Sequence, residues 1–181
     1  MEKVKEVPYG VADFVTMMEQ NLYYVDKTMF IPELEKQPRN LFFIRPRRFG
    51  KSTFLSMLHS YYDCNQSAKF QSLFGNLWIG QHPTELQGKY QVLFLDFSQV
   101  SGNIDSLERN FDFYCSVKLD GFMRRYGEAY SEETREKVRK AEYAMDKLAF
   151  IHDEAAQKGF DAIRKILFDS DGNRRTYELV G

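Results

Sequence analysis

Cysteine is scarce in this chain of 181 residues. Cys64 and Cys115 are its only two, far apart and without CxxC spacing, which argues against a disulfide framework and suits a reducing compartment. Charge of one sign is missing as well: Lys and Arg total 25 against 26 Asp and Glu. That balance lacks the basic excess of a dedicated nucleic-acid binder, so any attraction for a polyanion must be local. No apolar run approaches the roughly 18 residues of a membrane span, and the first ten residues carry charge without the apolar core of a signal peptide. The expectation is a cytoplasmic protein with no membrane partner. The three histidines, His59, His82 and His152, have no metal-like spacing to one another or to the cysteines, so no metal cluster is expected. Linkers of low complexity and internal repeats are absent too. Aromatic residues are plentiful, with 16 Phe, 11 Tyr and one Trp, and 43% of the chain is hydrophobic. Such a chain can bury a real core, and residues 1–181 read as a single domain.

The most informative stretch runs Phe43-Ile44-Arg45-Pro46-Arg47-Arg48-Phe49-Gly50-Lys51-Ser52-Thr53. Gly-Lys-Ser behind a short apolar run is how a phosphate-binding loop enters its helix: backbone amides cradle phosphates, the lysine reaches the outer ones, and the hydroxyl ligates magnesium. The usual pattern is GxxxxGK[ST], and here Arg45 replaces the first glycine. The context survives that change, because Leu41 to Ile44 read as a strand and Ser52 to Asp63 as an apolar-striped helix. Gly50 allows close approach of backbone, while a helix N-terminus and Lys51 favour an anion. A solvated basic turn is the weaker reading, since it leaves Lys-Ser at the start of a buried-looking helix unexplained.

Along the chain the pattern suggests α/β order. Gly10 to Asn21 suggests a short amphipathic helix, Leu22 to Val25 a brief strand, and Asp26 the N-cap of a helix from Lys27 to Lys36 that Pro32 should kink. Phe70, Leu73, Phe74, Leu77 and Trp78 form an aromatic patch whose intervals favour core packing over base stacking. Gln91 to Ser98 reads as an interior strand of a parallel sheet, because it alternates too little for an exposed edge. Long helices are expected over Ile104 to Tyr126 and Glu132 to Lys158, with Gly159 ending the second. Charges at helical spacing over Glu132 to Lys140 suggest a solvated face. Asp171-Gly172 suggests a hairpin within Lys165 to Val180, the alternative being a helix from Phe160 to Phe168.

Several strings resemble, in order, the bacterial and archaeal AAA-ATPase-like family, predicted ATPases often fused to a restriction-type nuclease domain. They are Pro8-Tyr9-Gly10-Val11-Ala12-Asp13-Phe14, Tyr24-Val25-Asp26-Lys27-Thr28, the loop from Phe42 to Ser52, Leu55-Ser56-Met57-Leu58 with Tyr61-Tyr62-Asp63, Leu73-Phe74 with Trp78-Ile79-Gly80, and Leu95-Asp96-Phe97-Ser98. The resemblance covers about residues 7–158 and leaves 159–181 as a diverged tail. It implies a P-loop NTPase-like α/β fold, a parallel sheet flanked by helices. Arginine at position 45 is a mark of that family's loop. The resemblance further implies that Gly50 and Lys51 hold the phosphates of ATP within the loop Arg45, Pro46, Arg47, Arg48, Phe49, and that Ser52, backed by Thr53, faces Mg2+. Arg45, Arg47 and Arg48 would lie beside phosphates, where guanidinium forks suit phosphate oxygens; ion pairing within the domain is an equal reading for any one of them.

Hydrolysis also needs an acid at the end of a neighbouring strand and an oriented water. Family members carry an apolar strand ending in Asp-Glu-Tyr-Asp soon after the helix corresponding to Glu132 to Lys158. Here Ile166-Leu167-Phe168-Asp169 is read as no intact counterpart, because Arg164 and Lys165 interrupt the run and Ser170 stands in the glutamate's place. A calcium loop is excluded, as Arg174 replaces its glycine and Val180 its final glutamate. Asp96, preceded by Val92 to Leu95, is a weak catalytic candidate and more readily a cap. The expectation is therefore a truncated or diverged copy that binds ATP and hydrolyses it weakly or with a partner's residues. The alternatives are an interaction module whose basic loop contacts nucleic acid or a protein partner, and a gene fragment that folds poorly.

Overall fold

The computed structural model describes residues 5–37, 40–44, 46, 49–158 and 165–169. These divide into two compact units, residues 5–89 with 165–169 and residues 90–158.

In the first unit, α1 (Phe14–Glu19) is capped by Asp13, whose carboxylate accepts from the Thr16 amide at 2.8 Å. The expected strand at 22–25 is not part of a sheet; its Leu22 and Tyr23 amides donate to Met17 and Glu6 carbonyls. A 3-10 turn (Thr28–Phe30) leads into α2 (Ile31–Glu35). Pro32 does not kink this helix but sits in its first turn, where its missing N–H leaves no bond unmade. Next come β1 (Asn40–Ile44) and α3 (Lys51–Tyr62), then a 3-10 segment (Cys64–Lys69), α4 (Phe70–Phe74) and α5 (Trp78–Gln81). Phe14, Ile31, Met57, Tyr61, Phe74 and Ile79 have no exposed surface and form the heart of this core. Phe74 stacks on Phe14 and Phe70 and meets the edge of Tyr61, so Leu73 and Phe74 of the aromatic patch are core with Phe70 and Leu77 packed against them, while Trp78 is exposed.

The second unit is built on α6 (Ile104–Tyr126), which Asn103 caps. The single helix expected over Glu132 to Lys158 is two, α7 (Glu132–Lys140) and α8 (Ala144–Gln157). Ala141 turns extended between them, and the Asp112 carboxylate on α6 captures the Ala144 amide at 2.9 Å, starting α8 afresh. Leu119, Phe122, Tyr126, Val138 and Ile151 are buried here. Gly159 and the turn at Asp171-Gly172 lie outside the described residues, and the alternative helix up to Phe168 is overturned by β2 (Lys165–Asp169), a strand.

The P-loop NTPase-like parallel sheet flanked by helices is not what the described residues form. They are predominantly helical, and strand is confined to β1 and β2, a single parallel pair. The physical reason is clearest at Gln91 to Ser98. Side chains of α6 hold part of its backbone: Tyr126 Oη accepts from the Val92 amide at 3.2 Å, Tyr114 Oη from the Asp96 amide at 2.6 Å, and Arg125 donates to the Val92 carbonyl at 3.3 Å. An apolar run can be buried against a helix as well as in a sheet, and periodicity alone does not separate the two.

Candidate functional site

β1 ends at Ile44, α3 starts at Lys51, and the loop between them closes on Gly50. Gly50 is in the left-handed region, φ 73° and ψ 26°, and its carbonyl accepts from the Phe54 amide at 2.9 Å, the first turn of α3. Only glycine enters this conformation without cost. Lys51 Nζ reaches over that loop to the Pro46 carbonyl at 3.4 Å, and Ser52 is exposed in the first turn. Arg45, Arg47 and Arg48 lie outside the described residues.

A cavity of about 360 Å³ opens beside this turn. Phe49, Gly50, Lys51 and Phe54 line it together with Lys27, Phe30, Glu33, Leu34 and Gln37. Most of its lining is apolar, and its charged members are Lys27, Lys51 and Glu33, the last of which pairs with Lys36 at 2.8 Å. α2 is held in place by Glu35, which accepts from Tyr62 Oη at 3.1 Å and Thr84 Oγ1 at 2.7 Å.

Lys27 is the residue that the loop motif by itself does not reveal. Asp26 beside it binds the Thr28 amide and hydroxyl at 2.8 and 2.7 Å through one oxygen and the Trp78 amide at 2.7 Å through the other. Thr28 is wholly buried and accepts from the Ile79 amide at 3.1 Å. Burial, with the charge of Asp26 adding to it, pushes the neighbouring Tyr24 hydroxyl well above its ordinary value. From this mount Lys27 Nζ donates to the Phe49 carbonyl at 3.4 Å. Its sequence signal was present in the string Tyr24-Val25-Asp26-Lys27-Thr28, which carries no phosphate-loop pattern.

The stretch Ile166-Leu167-Phe168-Asp169, read from the sequence as no intact counterpart of the acidic strand, lies within β2. β2 runs parallel to β1 with Asp169 in register with Ile44. Asp96 belongs to the second unit and is used locally: its carboxylate caps a 3-10 turn (Phe97–Gln99), accepting from the Ser98 amide at 3.1 Å and hydroxyl at 2.6 Å. Both cysteines are unpaired. Among the described residues no group of three or more His, Cys, Asp and Glu could hold a metal ion, and no helix is long and apolar enough to cross a membrane.

A glycine-closed turn joining a strand to a Lys-Ser helix is the feature expected of a nucleotide-using ATPase class. The family model described as "Predicted AAA-ATPase" matches residues 8–166, and the chain belongs to this AAA-ATPase-like family. A curated relative from Azotobacter chroococcum mcd 1, named as an uncharacterized protein in the vnfD 5′ region, is 43% identical over 63 residues. That match takes in 34% of this chain and 12% of the relative's length. No solved structure matches the chain.

Proposed function

We propose that this chain binds ATP, together with Mg2+, at the loop between β1 and α3. The observation that carries the reading is Gly50, held left-handed at the head of α3 so that Lys51 and Ser52 enter the helix beside a cavity that Lys27 and Lys51 both line. Family membership supports nucleotide use, and the helix start supports an anion there. In this reading the loop amides and Lys51 hold the phosphates, and Arg45, Arg47 and Arg48 flank them as forked donors. Ser52 supplies one oxygen ligand and Asp169, at the matching end of β2, is the acid for the other side of the metal; such oxygen donors suit magnesium. The metal, when bound, offsets the charge of the phosphate oxygens. Ser170 stands where a water-orienting glutamate is needed, so the chain is proposed to hold nucleotide and to turn it over slowly, or with a residue from a protein partner. Unpaired cysteines accord with a cytoplasmic setting.

Calorimetric titration with ATP, in the presence and absence of Mg2+, tests the proposal. Saturable binding that Lys51→Ala abolishes in a folded protein is the expected result. Unchanged affinity of that variant removes the reading. Binding to DNA that fades as salt rises, with no response to ATP, would instead favour a basic interaction module.

A further inference from the structure

We propose that Lys27 is a second phosphate-binding cation of this site, delivered from a segment before α2 to the turn that closes the loop. The inference rests on the nucleotide-binding reading above and adds to it a residue outside the loop. Three observations lead to it. First, Lys27 and Lys51 line the same cavity, so two ammonium groups from distant parts of the sequence share one space. Second, the Lys27 backbone is anchored: Asp26 and Thr28 on either side of it are tied to the amides of Trp78 and Ile79 at the start of α5. A long side chain on a fixed base loses less freedom on meeting a ligand than one on a mobile loop. Third, the ammonium is seated against Gly50 itself, where a Cβ would come within 3.2 Å of Nζ. Glycine at position 50 therefore serves two needs at once, the left-handed turn and room for the Lys27 ammonium.

The partner that Lys27 Nζ holds is the Phe49 carbonyl, at the long distance of 3.4 Å. A neutral oxygen at that range is a weak acceptor, whereas a phosphate oxygen makes a shorter, charge-assisted bond of roughly twice the strength. A triphosphate entering the cavity offers that exchange without a large movement of the lysine. An ammonium group binds phosphate as a compact point charge, so two of them lining one space suit a chain of phosphates.

The test compares the full chain with Lys27→Met and Lys27→Arg, titrated with ATP, ADP and AMP. Lys27→Met keeps the length of the stem and removes the charge. The expected result is at least a tenfold weaker ATP affinity for Lys27→Met, a progressively smaller loss for ADP and AMP, and partial recovery with Lys27→Arg. Equal loss for all three nucleotides would assign Lys27 to holding the loop in shape and overturn the proposal. ATP binding unchanged by Lys27→Met, while Lys51→Ala still abolishes it, would overturn this inference alone. Absence of saturable binding in the parent chain would overturn both this inference and the function beneath it.

Discussion

At Gly50, chemistry is decided by what is missing from a residue. With φ at 73°, a side chain there meets the carbonyl oxygen of its own peptide, a cost of about 1–2 kcal/mol for an L-residue. A methyl group also crowds the ammonium of Lys27. Gly50→Ala is therefore expected to lower the unfolding free energy by about 1–2 kcal/mol in urea and to weaken ATP binding with it. An unfolding curve superimposed on that of the parent would contradict the left-handed turn. Gly50, Lys51 and Ser52 were legible in the sequence because their spacing is local: a loop motif is written in consecutive residues. Lys27 was legible only as part of a resemblance. Its approach to Phe49, 22 residues away, depends on how α5 pins Asp26 and Thr28, and no local pattern encodes that.

Among the elements, α7 and α8 show how a single glutamate joins two helices. Glu154 on α8 accepts from the amide and hydroxyl of Ser131, the residue that caps α7, and pairs with Lys158 one turn further along. Lys158 first, then Thr134 and Ser131, hold its carboxyl down to about 2. A depressed value means that the bonds stabilise the fold fully above the ordinary glutamate value of 4.5 and are lost as pH falls toward 2. Melting temperature should therefore drop through that window in the parent chain, and Glu154→Gln should melt lower at neutral pH with a flatter profile across the same window. Parallel profiles for the two proteins would show that Glu154 carries no such linkage. The charges of α7 were readable as a solvated face, and Arg135 with Glu132 and Lys137 with Glu133 pair at helical spacing. The break at Ala141 was not readable, because it depends on Asp112, which holds the Ala144 amide 32 residues further on.

For the whole molecule, the decisive pairing is between residues far apart in sequence. β1 and β2 run side by side in parallel with Asp169 in register with Ile44, which is the ground for proposing Asp169 as the metal-side acid. Asp169→Asn should raise the Mg2+ concentration needed for half-maximal ATP binding by roughly tenfold, with metal-free ATP affinity little changed. A magnesium titration that superimposes on the parent's would return the metal-side role to some other acid. The same scale explains the fold correction. Residues 91–97 are half-buried, and tyrosines of α6 accept from the Val92 and Asp96 amides, bonds that a sheet strand would give to a neighbouring strand. By itself the sequence determined that a glycine turn leads into the Lys-Ser helix, that any excess of positive charge had to be local, and that aromatic rings would fill the core, since each of these follows from composition or spacing along a few residues. Tertiary structure alone decided that Lys27 reaches the turn, that Asp169 stands in register with Ile44 and that a half-buried run lies along a helix. Each of those depends on contacts between distant segments, whose free energy is set by the whole packed chain.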